Sequence, residues 1–576
     1  MLLKAFFLAA ALLPAARPSG AAEVPASPAR TGFLVLAPDR GFLGNAEVQD
    51  AFDAFQGKSS APAALAFASP VDMRTDLSRG VSELREKGVG EAILLPLFVC
   101  ESHPLLRSSL ELLSKNEIRG GMKMLAAPAF GRDPLAAAAL RDRVSALTVE
   151  PGAESVLLLA QGALTPESAR AMEGELAGLL KEALAGRAFA DSGVLVLEVE
   201  EPLRSWKRES WARLERALSE RRKRGLRPLI VLFDAAPRLD SMMAFARARA
   251  PAAAKSGALF DGTDLTPEPT LALWLRAQAN RRLPLGEKDL GVVLMAHGAH
   301  LQWNRAMDDA VEGLRARWRI EPAFGMGDAA VLSRALGRLE ASGARAGAVI
   351  RVFSLESSFR PETEFLLGLG APGVAVAPGG GGEHGGHAHH GPRVRPSLLR
   401  SPLALDTVGG IEDSPLFAEV LLERAMDLSR RPESETVFLL AHGAESEADN
   451  EEWLKNLASL ASQMRAMAAG KGVRFQEVKY GTWREDWPEK RRSATAAIRT
   501  EVERAGRGGR AIVLPARTLL GGPEKELLAG LEYSYDGRGF APHLKFSEWV
   551  ESQIRLSLER LNARRREGLI PLETVR

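Results

Sequence analysis

Histidine is scarce in this 576-residue chain and unevenly placed: four of the nine fall within seven residues. His384, His387, His389 and His390, with Glu383 beside them, lie in the glycine-rich segment PGGGGEHGGHAHHGP (378–392). So many clustered imidazoles can wrap a nickel, cobalt, zinc or copper ion without a pre-folded site. The plain alternative is a low-complexity linker, because glycine at that density favours neither helix interior nor packed strand. Two further histidines, His297 and His442, each end an apolar run and precede glycine, in AHGAH and AHGAE. Neutral imidazole is a good ligand for cobalt, nickel, iron or zinc, and it also works as a base near neutral pH. A hydrogen-bonded turn histidine is the competing explanation for either one alone; finding two at one repeat position weighs against it.

The elements that must position these residues recur four times. FLVLAP (33–38), VLLLAQ (156–161), VVLMAH (292–297) and VFLLAH (437–442) are unbroken apolar runs, each followed by a turn and a helical pattern. Such runs predict parallel strands covered on both faces, with ligands bound beyond their carboxyl ends. Pro38 and His297 correspond, since Asn45 and Asn304 follow seven residues later and Asp50 and Asp309 twelve later. Pro134-Leu135 corresponds to Pro415-Leu416 and Arg143 to Arg424; eighteen residues beyond each arginine stand Gln161 and His442. The fold class expected is therefore α/β: tandem modules of parallel sheets flanked by helices, arranged as two bilobed halves, about 31–285 and 286–560.

Composition narrows the partners. Lysine plus arginine (75) nearly cancels aspartate plus glutamate (73), so no global field favours nucleic acid. Cys100 is the single cysteine, which excludes an intramolecular disulfide and a cysteine-based zinc site, and its apolar setting reads as core. Residues 1–22 have the layout of a secretory signal peptide: Lys4, the apolar stretch Ala5 to Leu13, then Gly20-Ala21-Ala22. That stretch is too short to span a membrane, and no later window does better, so the expected location is periplasmic or secreted. No P-loop is present. Trp206, Trp211, Trp483 and Trp487 are expected to pack helix starts against sheets, and the arginine-rich helices at 220–227 and 563–569 to be solvated faces.

A strand ending in His-Gly, an asparagine-containing helix and a Pro-Leu-Phe strand, tandemly duplicated, resemble the class II chelatases, in particular the sirohydrochlorin cobaltochelatases of cobalamin biosynthesis. The resemblance implies flavodoxin-like modules at 31–120 and 121–285, both degenerate, and at 286–377 and 393–560, with the loop 378–392 between the last two. It implies a divalent metal, Co²⁺ or Ni²⁺ and otherwise Zn²⁺ or Fe²⁺, and a tetrapyrrole partner held between lobes. His297 and His442 match the family's His-Gly histidine, which binds metal and takes pyrrole protons. The family's second histidine follows the Pro-Leu-Phe run, and only His103, in PLFVCESH (96–103), fits that role. Ser358 or Phe359 stands there in the third module, glycine and proline in the fourth, while Pro38 and Gln161 replace the first histidine in the first half. No module keeps both. Glu356 could supply the missing carboxylate ligand or base, or be an exposed loop residue; His300 and Glu445 are weaker candidates. The expectation is an exported chelatase, with catalytic His297, His442 and Glu356. Its rivals are a non-catalytic metal-binding or storage protein and a purely structural one.

Overall fold

The computed structural model describes residues 30–200, 205–234, 257–260, 269–370, 398–519 and 522–574. The expected signal segment, the four-histidine segment and the strand expected at 373–377 lie outside the described residues.

The unbroken apolar runs become the central strands of four sheets. In the first sheet β1 (Arg30–Pro38), β2 (Ala63–Ala68), β3 (Val89–Pro96) and β4 (Lys123–Ala126) pair in parallel in the order β2-β1-β3-β4. The second holds β5 (Glu154–Ala163), β6 (Asp191–Glu200), β7 (Ser205–Trp206) and β8 (Arg227–Leu232) in the order β7-β6-β5-β8, with β7 antiparallel. The third is β9 (Leu290–Ala296), β10 (Arg319–Phe324), β11 (Ala346–Arg351) and β12 (Ala404–Gly409), all parallel, in the order β10-β9-β11-β12. The fourth is β13 (Glu435–Ala441), β14 (Glu477–Thr482) and β15 (Arg510–Pro515), parallel, in the order β14-β13-β15. First and third sheets thus share one strand order; second and fourth share another once β7 is set aside.

Every residue of β9 and of β13 is buried, as two covered faces require. Within each half, helices between the two sheets fuse them through one hydrophobic core. In the first half Phe33 and Val35 of β1, Leu140, Met172 and Val156 of β5 share it. In the second, Val292 and Leu294 of β9, Phe417, Leu421, Leu460 and Leu439 of β13 do the same. These are the parallel α/β sheets flanked by helices that the apolar runs predict. The strands β4 and β12, however, join the first and third sheets from beyond residues 120 and 377, so those sheets extend past the expected module ends.

Two devices join the halves. The helix Pro269–Arg282 buries Trp274 in the first-half core, Gln278 and Arg281 donate to Asp133 (3.1 and 2.9 Å), and Asn280 donates to the Pro402 carbonyl (2.7 Å). Beyond the helix Leu544–Ala563, the short strand β16 (Ile570–Pro571) pairs antiparallel with β4, and Leu572 is buried against the first sheet. Residues 570–572 therefore lie against the sheet that β1 opens.

Candidate functional site

Three of the four central strand-to-helix turns are pinned by an asparagine. Asn45, Asn304 and Asn450 sit in the first turns of the helices Phe42–Gln56, Leu301–Asp309 and Glu447–Gly470. Their side-chain oxygens accept from the backbone N–H of Arg40 (3.0 Å), Ala299 (3.0 Å) and Ala444 (3.4 Å), each two residues past the strand-end position of Pro38, His297 or His442. The following glycines are sterically required. Gly298 and Gly443 have φ of 75° and 82°, and a Cβ there would meet the Phe324 or Thr482 Cβ at 2.6 or 2.8 Å.

These turns set the imidazole tautomers. The ring Nδ1 of His297 lies 2.6 Å from the Gly298 carbonyl, and that of His442 lies 2.8 Å from the Gly443 carbonyl. A carbonyl only accepts, so Nδ1 must carry the proton, and the lone pair of the neutral ring sits on Nε2. In His442 that Nε2 faces the Asp486 carboxylate at 3.2 Å, while the Trp487 ring meets the imidazole edge-on at 5.9 Å. At that distance the protonated ring donates from Nε2 to the carboxylate, forming an imidazolium–carboxylate pair. Burial pulls the His442 pKa down, but Asp486, Glu485 and the Gly443 carbonyl more than offset it, leaving the imidazole above the ordinary histidine value.

Around His442 the three strand ends of the fourth sheet carry a dense polar set. Glu485, beyond β14, pairs with Arg517, beyond β15. The fully buried Glu524 accepts from Trp483 Nε1 (3.2 Å) and Tyr535 Oη (3.1 Å). Beside them opens a groove of about 450 Å³, lined by Glu447, Asn450, Thr482, Arg484, Lys490 and Ser493 among others. Arg484 has a φ of 54°, a left-handed conformation costing about 1–3 kcal/mol in a residue with a Cβ.

The other expected site residues are placed differently. His103 is fully buried and caps the helix Pro104–Ser114: its Nδ1 accepts from the Leu105 N–H at 3.2 Å. The proton is then on Nε2, which has no hydrogen-bond partner, and burial followed by the nearby Arg40 holds the pKa well below the histidine norm. His300 likewise caps its helix, accepting from Trp303 N–H at 3.3 Å. Glu356 is half exposed but spoken for: Arg360 Nη1 lies 2.7 and 2.9 Å from its oxygens and Arg351 Nη2 3.4 Å. Ser358 gives its carbonyl to Arg351 (2.9 Å), and the Phe359 ring packs on Phe353. Glu445 is exposed and offers its backbone carbonyl to Arg484 (2.6 Å). Cys100 is buried, its thiol pushed well up by burial, then by Glu175 and Asp234. Trp483 is buried and Trp211 packs against the second sheet; the side chain of Trp206 lies outside the described residues. His297 and His442 belong to different sheets, and among the described residues no three histidine, cysteine, aspartate or glutamate side chains gather into a metal-holding group.

Asn450, Arg484 and Asp486 escape a reading by sequence spacing. Asn450 stands eight residues past its histidine instead of seven, and the other two reach the site through the β13–β14 pairing across some forty residues.

Fold and site define a class: an α/β protein of parallel sheets with imidazole, carboxylate and guanidinium groups at strand carboxyl ends. No protein-family model and no curated protein matches the chain. Among solved structures it is similar in part to the sirohydrochlorin chelatase SirB from Bacillus subtilis subspecies spizizenii in complex with cobalt. The TM-score is 0.31 at 10% identity, over 42% of this chain and 91% of that one. SirB from Bacillus subtilis with Fe³⁺ gives 0.31 at 14% identity, over 42% and 92%. A multi-domain Deinococcus radiodurans protein, described as structurally similar to chelatases with two additional novel domains, gives 0.30 at 19% identity, over 46% and 54%.

Proposed function

We propose that the protein is an exported, tandemly duplicated relative of the sirohydrochlorin cobaltochelatases that takes a divalent metal, Co²⁺ or Ni²⁺, at the strand carboxyl ends of its second half and presents it to a tetrapyrrole. The observation that carries this reading is the His442–Asp486 pair, an imidazole Nε2 and a carboxylate oxygen 3.2 Å apart, which supply a nitrogen and an oxygen ligand once a metal takes the place of the proton between them. Imidazole and carboxylate together suit this class of metal. The metal is cargo in this scheme, and a two-donor site releases what it holds more readily than a closed four-ligand site. His442 and His297 are the bases available to the pyrrole N–H groups. His103, protonated at Nε2 and capping a helix, has no part, and Glu356 serves its arginine partners.

The rival reading, a non-catalytic metal-binding or storage protein on the same fold, draws on the histidines at 384–390, which would buffer metal independently of the strand ends. One experiment separates the two. The full chain is titrated with Co²⁺ and then given sirohydrochlorin while the absorption spectrum is followed. Insertion above the buffer rate, lost in His442→Ala, supports the chelatase. Tight Co²⁺ binding that survives His442→Ala but vanishes on deleting 378–392, with no insertion, supports storage.

A further inference from the structure

The groove beside His442 is already occupied in chemical terms by one of the protein's own carboxylates. Glu447, the first residue of the helix Glu447–Gly470, lies across two cations. Its oxygens sit 3.1 Å from Arg484 Nη1, 3.2 Å from Arg484 Nη2 and 2.7 Å from Lys490 Nζ. That is bidentate carboxylate recognition by a guanidinium fork, reinforced by a point charge. The two partners are unlike in burial. The Arg484 side chain is 8% exposed, whereas that of Glu447 is 70% exposed. The guanidinium is thus built into the wall, and the carboxylate lies on it from the solvent side. Arg484 Nε is buried without a hydrogen-bond partner among the described residues, so the fork is not fully used. Asn450, Thr482 and Ser493 add polar groups, and Glu489, paired with Arg492, borders a space of about 450 Å³, far more than the Glu447 carboxylate fills. The wall is continuous with the metal-facing turn: the Arg484 backbone N–H donates to the His442 carbonyl at 2.8 Å.

We propose that this groove is a binding subsite for a carboxylate of a small polycarboxylate ligand, and that Glu447 is a displaceable internal carboxylate holding the Arg484–Lys490 pair until the ligand arrives. The proposal rests on reading this strand edge as a ligand site, and it adds the chemical feature the ligand must carry and the residues that read it. A planar carboxylate is favoured over a phosphate because the groove already displays two near-equal Arg–carboxylate contacts in the planar geometry. Displacement costs little in packing, since Glu447 is on the surface and its backbone remains in the helix.

The test uses the full chain and calorimetric titration with tricarballylate, a tricarboxylate lacking the hydroxyl that would make it a strong metal chelator. Inorganic phosphate and CoCl₂ are titrated in parallel. Glu447→Gln removes the competing charge and is expected to bind tricarballylate at least tenfold more tightly than the parent. Adding Lys490→Ala to that variant is expected to cost at least fivefold, and phosphate is expected to bind more weakly than tricarballylate throughout. Both positions are at the surface, and an unchanged unfolding midpoint verifies that each variant folds. The proposal is overturned if Glu447→Gln binds tricarballylate no better than the parent, if Lys490→Ala has no effect, or if phosphate is preferred. The CoCl₂ arm keeps the two readings apart. Tricarballylate binding without Co²⁺ binding sinks the metal site and leaves the subsite standing; the reverse sinks the subsite alone.

Discussion

His103 and His442 are the two most informative histidines, and the protein uses them in opposite ways. His103 accepts through Nδ1, carries its proton on a buried Nε2 and closes off a helix end. His442 donates through Nδ1 and turns its Nε2 to the Asp486 carboxylate. The halves around them differ in the same sense. At the first-half strand ends, Arg40 beyond β1 donates to both oxygens of the buried Asp234 beyond β8 (3.0 and 3.1 Å). Glu175 accepts the backbone N–H groups of Glu101 and Ser102 (2.7 and 2.9 Å). The region where a ligand would enter is stitched shut by the protein's own charges. In the second half, all four non-glycine residues with left-handed φ among the described residues, Met326, Phe359, Glu412 and Arg484, follow strand carboxyl ends. Strain of this kind persists where surrounding structure enforces it and clusters at binding sites. One strand order thus supports a sealed edge in one half and a strained, open edge in the other.

The largest effect that would break this contrast comes from the sealed side. Arg40→Ala removes the guanidinium that holds both oxygens of the buried Asp234, and is expected to cost about 3–5 kcal/mol in urea-unfolding free energy while leaving Co²⁺ affinity unchanged. A loss of Co²⁺ binding in that variant would show that the first half is part of the site.

A middle-sized effect is the pH response of the two histidines, which should run in opposite directions. The His103 pKa is lowered from 6.5 in the fold, so its neutral form is favoured and its contribution is intact above pH 6.5. As pH falls below that, the unfolded chain takes up a proton that the folded one refuses, and stability drops by up to about 1.4 kcal/mol per pH unit. His103→Gln, which can still cap Leu105, should flatten that acid limb in unfolding curves from pH 5 to 8. The His442 pKa is raised, so its stabilising pair is complete below pH 6.5 and is lost as pH rises through the folded value. His442→Gln should accordingly alter the limb above pH 6.5, and an acid-limb change there would contradict the assignment.

The smallest expected effect is at Met326, half-buried between Gly325 and Gly327 with a φ of 54°. Met326→Gly relieves a left-handed conformation worth about 1–2 kcal/mol against a glycine entropy cost of about 0.5–1 kcal/mol. A gain of about 0.5 kcal/mol in unfolding free energy is expected; a loss would show that the side chain's packing outweighs the strain.

The architecture was legible because it is written in repeated, short-range signals. Four apolar runs, a following glycine at two of them and Asn45 and Asn304 seven residues on are visible without knowing any contact, and each keeps its role in the structure. The chemistry at the site was only half legible. His442 announces itself through the His-Gly repeat, but Asp486 and Arg484 become its neighbours through β13–β14 pairing, which spacing does not encode. For His103 and Glu356 the residue type suits metal chemistry, and the surroundings decide otherwise. One is buried on a helix start, and the other is clamped by Arg351 and Arg360. Burial and partner identity are long-range properties, so these assignments needed the fold.

The pairing of β16 with β4 has a consequence for the order in which the molecule can be finished. Residues 570–571 cover the edge of a sheet whose first strand begins at residue 30. Synthesis from the N-terminus makes β1–β4 well before residues 570–571, so the β4 edge stays open in the meantime. A chain interrupted anywhere before residue 570 exposes unpaired β4 backbone, the kind of edge that recruits foreign strands. Residues 570–571 therefore shield from foreign strands an edge laid down far earlier in the sequence.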